Sequence, residues 1–187
     1  MKHRVLHAIT VGSVFLFCLM IVVLSILPRW TTSRSVAVFD REIDPFHIET
    51  LSGQMLTSED LKGHVVVLSF GATWCLPCRA ELPEIETLAG RYSHNPAVII
   101  LAVDSGTEGD NATKAAAYLS KDHLTLPGAI DSLDMETSGP AAKSLGVPSL
   151  PAVCILDRSC NLRFVHSGYD SSEHLVEALS ERIDSLL

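Results

Sequence analysis

The sequence has no charged side chain over one long stretch near its start and no acidic side chain over a longer one. Residues 5–27 contain no Asp, Glu, Lys or Arg, and residues 1–34 contain no Asp or Glu. A helix that rises about 1.5 Å per residue over the uncharged stretch would cross the roughly 30 Å hydrocarbon core of a bilayer. Lys2 and Arg4 precede it. We therefore predict a transmembrane signal-anchor helix at 5–27, with residues 1–4 as a cytoplasmic tip.

The alternatives for this stretch are a cleaved signal peptide and a buried core helix. A signal peptide has a shorter apolar region, of about 7–15 residues, with a small-residue cleavage site close behind it. Leu27–Trp30 offers no such site, and Ser35–Ala37 lies late. We therefore expect a single-pass protein of the inner (cytoplasmic) membrane, whose folded domain faces the periplasm or another extracytoplasmic compartment.

Basic residues are few in the rest of the chain. Beyond residue 34 there are 10 Lys and Arg against 22 Asp and Glu. Nonspecific nucleic-acid binding rests on basic patches that meet phosphates, so this class of function is excluded and proteins or small molecules are the expected partners. The sequence also lacks internal repeats and low-complexity segments. Its 187 residues therefore fit one domain with an appendage.

The order of patterns beyond residue 45 predicts an α/β domain. Residues 28–45 have the composition of a linker, so the folded domain is expected at 46–187. Val65–Phe70 and Ala97–Val103 are continuous apolar runs, typical of central strands covered on both faces. The element order ββ-βαβαα-ββα predicts a central mixed β-sheet flanked by helices. The predicted helices are Ser58–Leu61, Ala80–Tyr92 with a bend or local break at Pro83, Ala112–Leu119, Ser138–Leu145 and a last helix capped by Ser171 or Ser172; Ala152–Leu156 and Leu162–His166 are predicted to form a hairpin.

Cysteines are few, but two of the five form a Cys-x-x-Cys motif. Cys75 and Cys78 lie between the Val65 strand and the next predicted helix. A thiol attacks only as the thiolate, and the unpaired N–H groups at a helix N-terminus stabilise that anion, which favours Cys75 as nucleophile. Cys78, one turn later on the same side, can attack a mixed disulfide formed by Cys75 and release the reduced partner. The motif therefore predicts a redox-active disulfide.

The bare motif is weak evidence, because chance alone gives about one Cys-x-x-Cys in ten chains with five cysteines. Its context, with Trp74 before the pair and Pro77 inside it, strengthens the prediction. A structural zinc site needs two more ligands at metal-like spacing, and Cys154 and Cys160 belong to a predicted strand and its turn. We interpret Cys154 as a small core residue and Cys160 as an exposed turn residue that can form mixed disulfides. A peroxiredoxin would use a lone cysteine in a Pro- and Thr-bearing loop. Here Thr73 is present, but the proline of that loop is missing and Cys75 is paired with Cys78.

The sequence resembles the TlpA/ResA branch of the thioredoxin superfamily, which includes the CcmG-type reductases of cytochrome c maturation. The likeness covers about residues 46–187. It rests on Leu61-Lys62-Gly63 before the Val65 strand, on Ala72-Thr73-Trp74-Cys75-Leu76-Pro77-Cys78-Arg79 with Leu82-Pro83 after it, and on Gly146-Val147-Pro148-Ser149-Leu150-Pro151 before the Ala152 strand.

The resemblance implies a thioredoxin-like fold in which Cys75 is the nucleophile, Cys78 resolves, and a cis proline, Pro151, packs opposite the disulfide. The backbone of Leu150 would then pair with an incoming chain, with Trp74 and Pro77 supporting the site. No metal or organic cofactor is expected besides the disulfide. The implied partners are extracytoplasmic protein disulfides and a membrane electron donor that re-reduces the pair.

The function predicted from the sequence is an extracytoplasmic thiol:disulfide oxidoreductase that reduces disulfides in exported proteins, with cytochrome c maturation and copper-site assembly as candidate settings. The alternatives are a dithiol oxidant, and a copper- or apocytochrome-binding module that uses the motif as a ligand. Two departures from the family stand out. Ser69 replaces the buried acid or amide six residues before Cys75, so proton transfer is expected to use water or another group. Leu76 replaces the acid that ResA-type proteins carry inside the motif.

Overall fold

The computed structural model of the protein describes residues 37–131 and 139–187. One eight-stranded mixed sheet carries four helices in this part of the chain. The strands are β1 (Ala37–Arg41), β2 (His47–Thr50), β3 (Met55–Thr57), β4 (Val65–Gly71), β5 (Val98–Asp104), β6 (Gly128–Ile130), β7 (Ala152–Leu156) and β8 (Leu162–Ser167). The helices are α1 (Leu76–Tyr92), α2 (Ala112–Lys121), α3 (Pro140–Leu145) and α4 (Leu175–Asp184).

The sheet has the strand order β1-β8-β7-β4-β5-β6-β2-β3. β4 pairs in parallel with β5, and β5 with β6, whereas the remaining pairs are antiparallel. The predicted α/β class, the thioredoxin-like fold with a central mixed sheet, the two apolar central strands and the β7–β8 hairpin are confirmed.

β4 lies at the centre of the sheet and contributes to both cores. Successive side chains of a strand point to opposite faces. Val66, Leu68 and Phe70 accordingly join the core that α3 covers. Val65 and Val67 join the core beneath α1, α2 and α4. Both faces of β4 are buried, which explains the continuous apolar run that identified this strand.

Several sequence predictions need correction at the edges. The predicted linker at 28–45 overlaps β1, so the folded domain does not begin at residue 46. β1 is an edge strand that pairs with β8 through backbone hydrogen bonds, which leave no side-chain period in the sequence. Ion pairing of Asp40 with Arg163 at 2.8 Å helps to hold it there. β6, only three residues long, was also not predicted.

The predicted helix at Ser58–Leu61 is a turn. Asp60 accepts hydrogen bonds from the Thr57 amide at 2.8 Å and hydroxyl at 2.6 Å, and this cap-like pattern closes the turn without continuing into a helix. The predicted caps Ser171 and Ser172 are wrong as well, because α4 begins after His174.

α1 continues through Pro83 without the predicted break. The structure places the start of α3 at Pro140, and the predicted start at Ser138 lies outside the described residues. The predicted anchor at 5–27 and the predicted tip at 1–4 also lie outside them. Within residues 37–131 and 139–187, no helix combines the length and the apolar character that a membrane crossing requires.

Candidate active site

Cys75 and Cys78 form a disulfide where β4 ends and α1 begins, with a Cα–Cα distance of 5.3 Å. Cys75 is the N-cap residue of α1, and its backbone is extended. Its sulfur accepts a hydrogen bond from the Cys78 amide at 3.3 Å. The predicted placement of the pair at a helix N-terminus is therefore confirmed, and the amide donor is positioned to stabilise a Cys75 thiolate.

Gly71 lets the end of β4 approach the disulfide. A Cβ atom at this position would lie 3.3 Å from the Cys78 Cβ and 3.7 Å from its sulfur. The first distance is tighter than ordinary van der Waals contact, so a side chain here would press against Cys78. Glycine at the end of β4 therefore avoids a close contact with Cys78.

The two cysteines are almost equally buried, at 4% exposure for Cys75 and 3% for Cys78. In the disulfide form, exposure therefore does not distinguish the Cys75 side chain from that of Cys78. Two apolar side chains beside it are open to solvent instead, with Trp74 at 54% and Leu76 at 76% exposure. An incoming disulfide would meet these two side chains around the Cys75 sulfur.

The Leu150–Pro151 peptide bond is cis, as the resemblance implied. Leu150 packs against the small apolar cluster of Ala72, Cys75 and Cys78, so this loop does lie beside the disulfide. Pro151 is buried, and its carbonyl accepts a hydrogen bond from the Gly168 amide at 2.8 Å. The fold therefore brings the Leu150–Pro151 loop next to the Cys75–Cys78 disulfide.

A buried carboxyl group lies behind the disulfide. Glu81 is only 1% exposed, and its Oε1 accepts a hydrogen bond from the Ser69 hydroxyl at 3.0 Å. Its Oε2 has no hydrogen-bond partner among the described residues. Burial raises the pKa of Glu81 to about 8, against the lowering effect of the Ser69 hydrogen bond, while Glu84 and Glu173 raise it further. The side chain can therefore take up or release a proton near neutral pH.

Glu81 and Cys78 line the same cavity of about 30 Å³. Ser69, Asp104 and Tyr118 contribute polar groups to it. At about 10–15 Å³ per molecule, this space would hold about two waters. Glu81 is therefore a candidate for the other group that was expected to serve proton transfer, because it lines the same cavity as Cys78.

Glu81 was not among the site residues predicted from the sequence. The usable signal was its position three residues after Cys78, which places both side chains on the same face of α1. The Leu82, Ile85 and Leu88 positions mark that face as buried. A carboxylate on a buried face is rarely without a function or a partner.

Two further acidic residues, Asp110 and Asp104, lie beside the loop before Cys75. Asp110 accepts hydrogen bonds from the Thr73 amide at 2.8 Å and from its hydroxyl at 2.6 Å. Asp104 lies next to it, and burial raises the pKa of Asp104 to about 6, with the Gly106 amide opposing and Asp110 adding to the rise. These contacts fix the chain immediately ahead of Trp74.

The remaining described cysteines, Cys154 and Cys160, are free thiols within the core. Cys154 is fully buried, which confirms its interpretation as a core residue. Cys160 is only 5% exposed, so its interpretation as an exposed turn residue is wrong. It occupies a turn at φ +65°, and its side chain belongs to the core on the α3 side of the sheet.

Comparison with known proteins agrees with this geometry. The AhpC/TSA family profile matches residues 39–165. The chain is 31% identical over 134 residues to the thioredoxin-like protein YneN of Bacillus subtilis, covering 72% of this chain and 74% of that protein. It is 31% identical over 141 residues to the thiol-disulfide oxidoreductase ResA of Bacillus thuringiensis subsp. konkukian, covering 75% and 76%.

Among solved structures, a secreted Mycobacterium tuberculosis disulfide oxidoreductase homologous to E. coli DsbE superposes with a TM-score of 0.58 at 26% identity, covering 75% of this chain and 96% of that one. The chain therefore belongs to the AhpC/TSA family, and it is a thioredoxin-like thiol:disulfide oxidoreductase similar to the ResA proteins.

Proposed function

We propose that this oxidoreductase reduces disulfides of exported proteins, with Cys75 as nucleophile and Cys78 as resolving cysteine. The observation that carries the proposal is the Cys75–Cys78 disulfide at the N-terminus of α1, with the Glu81 carboxyl on the wall of the cavity that Cys78 also lines. No cofactor besides this disulfide takes part.

In the reduced enzyme, the Cys75 thiolate attacks one sulfur of the substrate disulfide, which gives a mixed disulfide and one substrate thiolate. The Cys78 thiol gives its proton to Glu81 and attacks the Cys75 sulfur. The second substrate sulfur leaves as a thiolate, and the enzyme ends as the disulfide. Two electrons pass to the substrate in this sequence, and an external donor must return them.

Substrate docking uses the surface around Cys75. The Leu150 backbone next to the cis proline pairs with an extended substrate segment. Trp74 and Leu76, both exposed, contact apolar side chains that flank the substrate cysteine. Because Leu76 is uncharged, it does not select for charged residues next to the substrate disulfide.

The direction of transfer follows from the groups next to Cys75. Strong oxidants hold their nucleophilic thiolate so well that the potential rises to about −120 mV, against about −270 mV for thioredoxin. Leu76 and Pro77 add neither charge nor a polar hydrogen beside the sulfur. The Arg79 guanidinium is already paired with Asp122 at 3.1 Å. Modest thiolate stabilisation favours a reductant, which a membrane partner must keep reduced in an oxidising compartment.

A redox titration of the full-length chain against dithiothreitol tests this direction. A midpoint below about −200 mV supports a reductant, and one above about −150 mV makes the protein a dithiol oxidant. Stoichiometric Cu(I) retention without disulfide turnover would instead favour the metal-binding alternative.

The extracytoplasmic setting rests on the uncharged stretch at 5–27, which we propose anchors the chain in the membrane. A Cys78→Ser variant should stall as a mixed disulfide on Cys75, and its trapped partners should be exported proteins. The Cys160→Ser variant is the matched control, and it should trap nothing. The chain should stay in the membrane fraction after a carbonate wash, and protease added to spheroplasts should digest the domain. An undigested domain would contradict the topology.

Cytochrome c maturation and copper-site assembly are the settings that we propose for this reductase. Both require reduced cysteine pairs outside the cytoplasm. Apocytochromes or copper-binding proteins among the partners trapped by Cys78→Ser would identify the setting, and a trapped set without either class would rule both out.

A further inference from the structure

We propose that Ser69 is the positioning residue of the Glu81 carboxyl: its hydroxyl occupies Oε1 and thereby leaves Oε2 to exchange a proton with Cys78. This inference rests on the proposed function, because it assumes that Glu81 carries the proton of the resolving cysteine. It assigns a role to the position at which the sequence departs from the acid or amide of the wider family.

Strand geometry explains why Ser69 reaches Glu81. Side chains alternate along β4, so Ser69 follows Val65 and Val67 onto the face covered by α1. Within β4, only Gly71 follows it on that face, so Ser69 carries the last side chain there. Ser69 is 4% exposed and Glu81 1%, and their hydroxyl–carboxyl distance is 3.0 Å.

Among the described residues, Ser69 alone donates a hydrogen bond to Glu81. A buried carboxylate without a donor is costly, so this single bond decides which oxygen is occupied. The unpartnered Oε2 belongs to a side chain that lines the cavity shared with Cys78. Proton exchange at Oε2 therefore does not break the bond that holds the group.

The other ionisable groups around Glu81 have contacts of their own. Glu84, on the same helix, accepts a hydrogen bond from the Tyr169 hydroxyl at 2.6 Å. Glu173, ahead of α4, lies 3.1 Å from Nε2 of His166 on β8. Asp104 of β5 and Tyr118 of α2 face the cavity, and Asp104 accepts from the Gly106 amide at 2.8 Å. Glu84 and Glu173 raise the pKa of Glu81, but none of these groups donates a hydrogen bond to it.

Loss of the Ser69 hydroxyl has a defined consequence. The bond favours the charged carboxylate, so its removal makes Glu81 harder to deprotonate. At neutral pH a larger share of Glu81 would then already carry a proton and could not accept one from Cys78. Resolution of the mixed disulfide should slow at neutral pH and recover at higher pH. A merely structural role would not move the pH profile.

The experiment measures the single-turnover rate of mixed-disulfide resolution against pH in the full-length chain. Ser69→Thr and Ser69→Val form a matched pair, because both are β-branched and of similar volume and only Thr keeps the hydroxyl. We expect Ser69→Thr to keep the wild-type midpoint and Ser69→Val to raise it by about one pH unit. Ser58→Ala, a buried serine away from Glu81, should leave the midpoint unchanged.

A double-mutant cycle separates this inference from the proposed function. Glu81→Gln should slow resolution and remove the limb of the profile that Ser69→Val shifts, so the double variant should match Glu81→Gln alone. If Glu81→Gln slows resolution while Ser69→Val and Ser69→Thr share one midpoint, the role of Ser69 is overturned and the proposed function stands. If Glu81→Gln changes neither rate nor profile, the proton step of the proposed function fails as well.

Discussion

Two pairs of cysteines in this chain have opposite environments. Cys75 and Cys78 lie at the junction of β4 and α1, beside exposed apolar side chains and a cavity with a buried carboxyl. Cys154 and Cys160 lie in the core on the α3 side of the sheet, and both are free. Burial raises the pKa of Cys154 to about 12 and also raises that of Cys160.

The difference shows what makes a cysteine pair reactive in this fold. Burial alone does not distinguish the pairs, because all four cysteines are at most 5% exposed. What distinguishes them is the helix N-terminus, where the Cys78 amide donates a hydrogen bond to the Cys75 sulfur, and the buried Glu81 carboxyl in the cavity that Cys78 also lines. The Cys154 pair has neither, and we infer that it serves packing only.

The largest expected effect on disulfide turnover comes from replacing Cys75, with a replacement of Cys160 as the comparison. Cys75→Ser should reduce disulfide turnover to background, because serine does not attack a disulfide and the reaction has no other nucleophile. Cys160→Ser should leave turnover at the wild-type level. Turnover with a model disulfide in matched preparations checks both. Turnover that survives in Cys75→Ser would show that the second pair reacts.

Alkylation of the reduced protein should separate the pairs next. At pH 8, a thiol with a pKa of about 12 is thiolate in only about one molecule in 10⁴. Iodoacetamide should therefore modify Cys75 first, with Cys154 untouched until the chain unfolds. Mass spectrometry of timed samples locates the label. Early labelling of Cys78 would reverse the assigned roles, and early labelling of Cys154 would remove the contrast between the pairs.

Glu81 should make stability depend on pH, because its pKa rises from 4.5 in the unfolded chain to about 8 in the fold. The folded state binds this proton more tightly, so the contribution to stability is complete below pH 4.5 and is lost as pH rises through about 8. The loss over this window is on the order of a few kcal/mol.

Urea unfolding at several pH values between 5 and 9 measures this slope. Glu81→Gln should flatten it, because the amide does not titrate. Glu181→Gln, an exposed carboxyl on α4, is the matched control and should keep the slope. An unchanged slope in Glu81→Gln would mean that Glu81 is not the group whose proton the fold retains.

The sequence predicted the environment of the disulfide pair far better than that of the two free cysteines. A strand that runs into Cys75-Leu76-Pro77-Cys78 and a helix defines its own geometry locally, and the Leu150–Pro151 loop followed from the family resemblance. The position of Cys160 depended instead on one left-handed turn residue, which has no pattern in the sequence. Glu81 was missed because its partner, Ser69, is twelve residues away and belongs to another element.

β1 illustrates the same limit at the edge of the sheet. Its backbone pairing with β8 joins residues more than a hundred positions apart in the chain, such as Ala37 and Val165. Local composition between residues 28 and 45 resembles a linker, and only the register of β8 makes part of it a strand. Short edge strands are therefore the elements that periodicity predicts least well.

The smallest effect concerns the packing role of Cys154. Cys154→Ala removes one buried sulfur, comparable in size to a methylene group, and should lower the free energy of unfolding by about 1 kcal/mol. Cys154→Ser keeps the shape of the side chain but replaces the sulfur with a smaller, polar hydroxyl in an apolar cluster, which should cost about 1–3 kcal/mol. Urea unfolding at fixed pH ranks the two variants, and both should keep wild-type turnover. If Cys154→Ser were as stable as Cys154→Ala, the site would hold a polar partner for the hydroxyl. If either variant lost turnover while remaining folded, Cys154 would take part in catalysis, and the two pairs would not be independent.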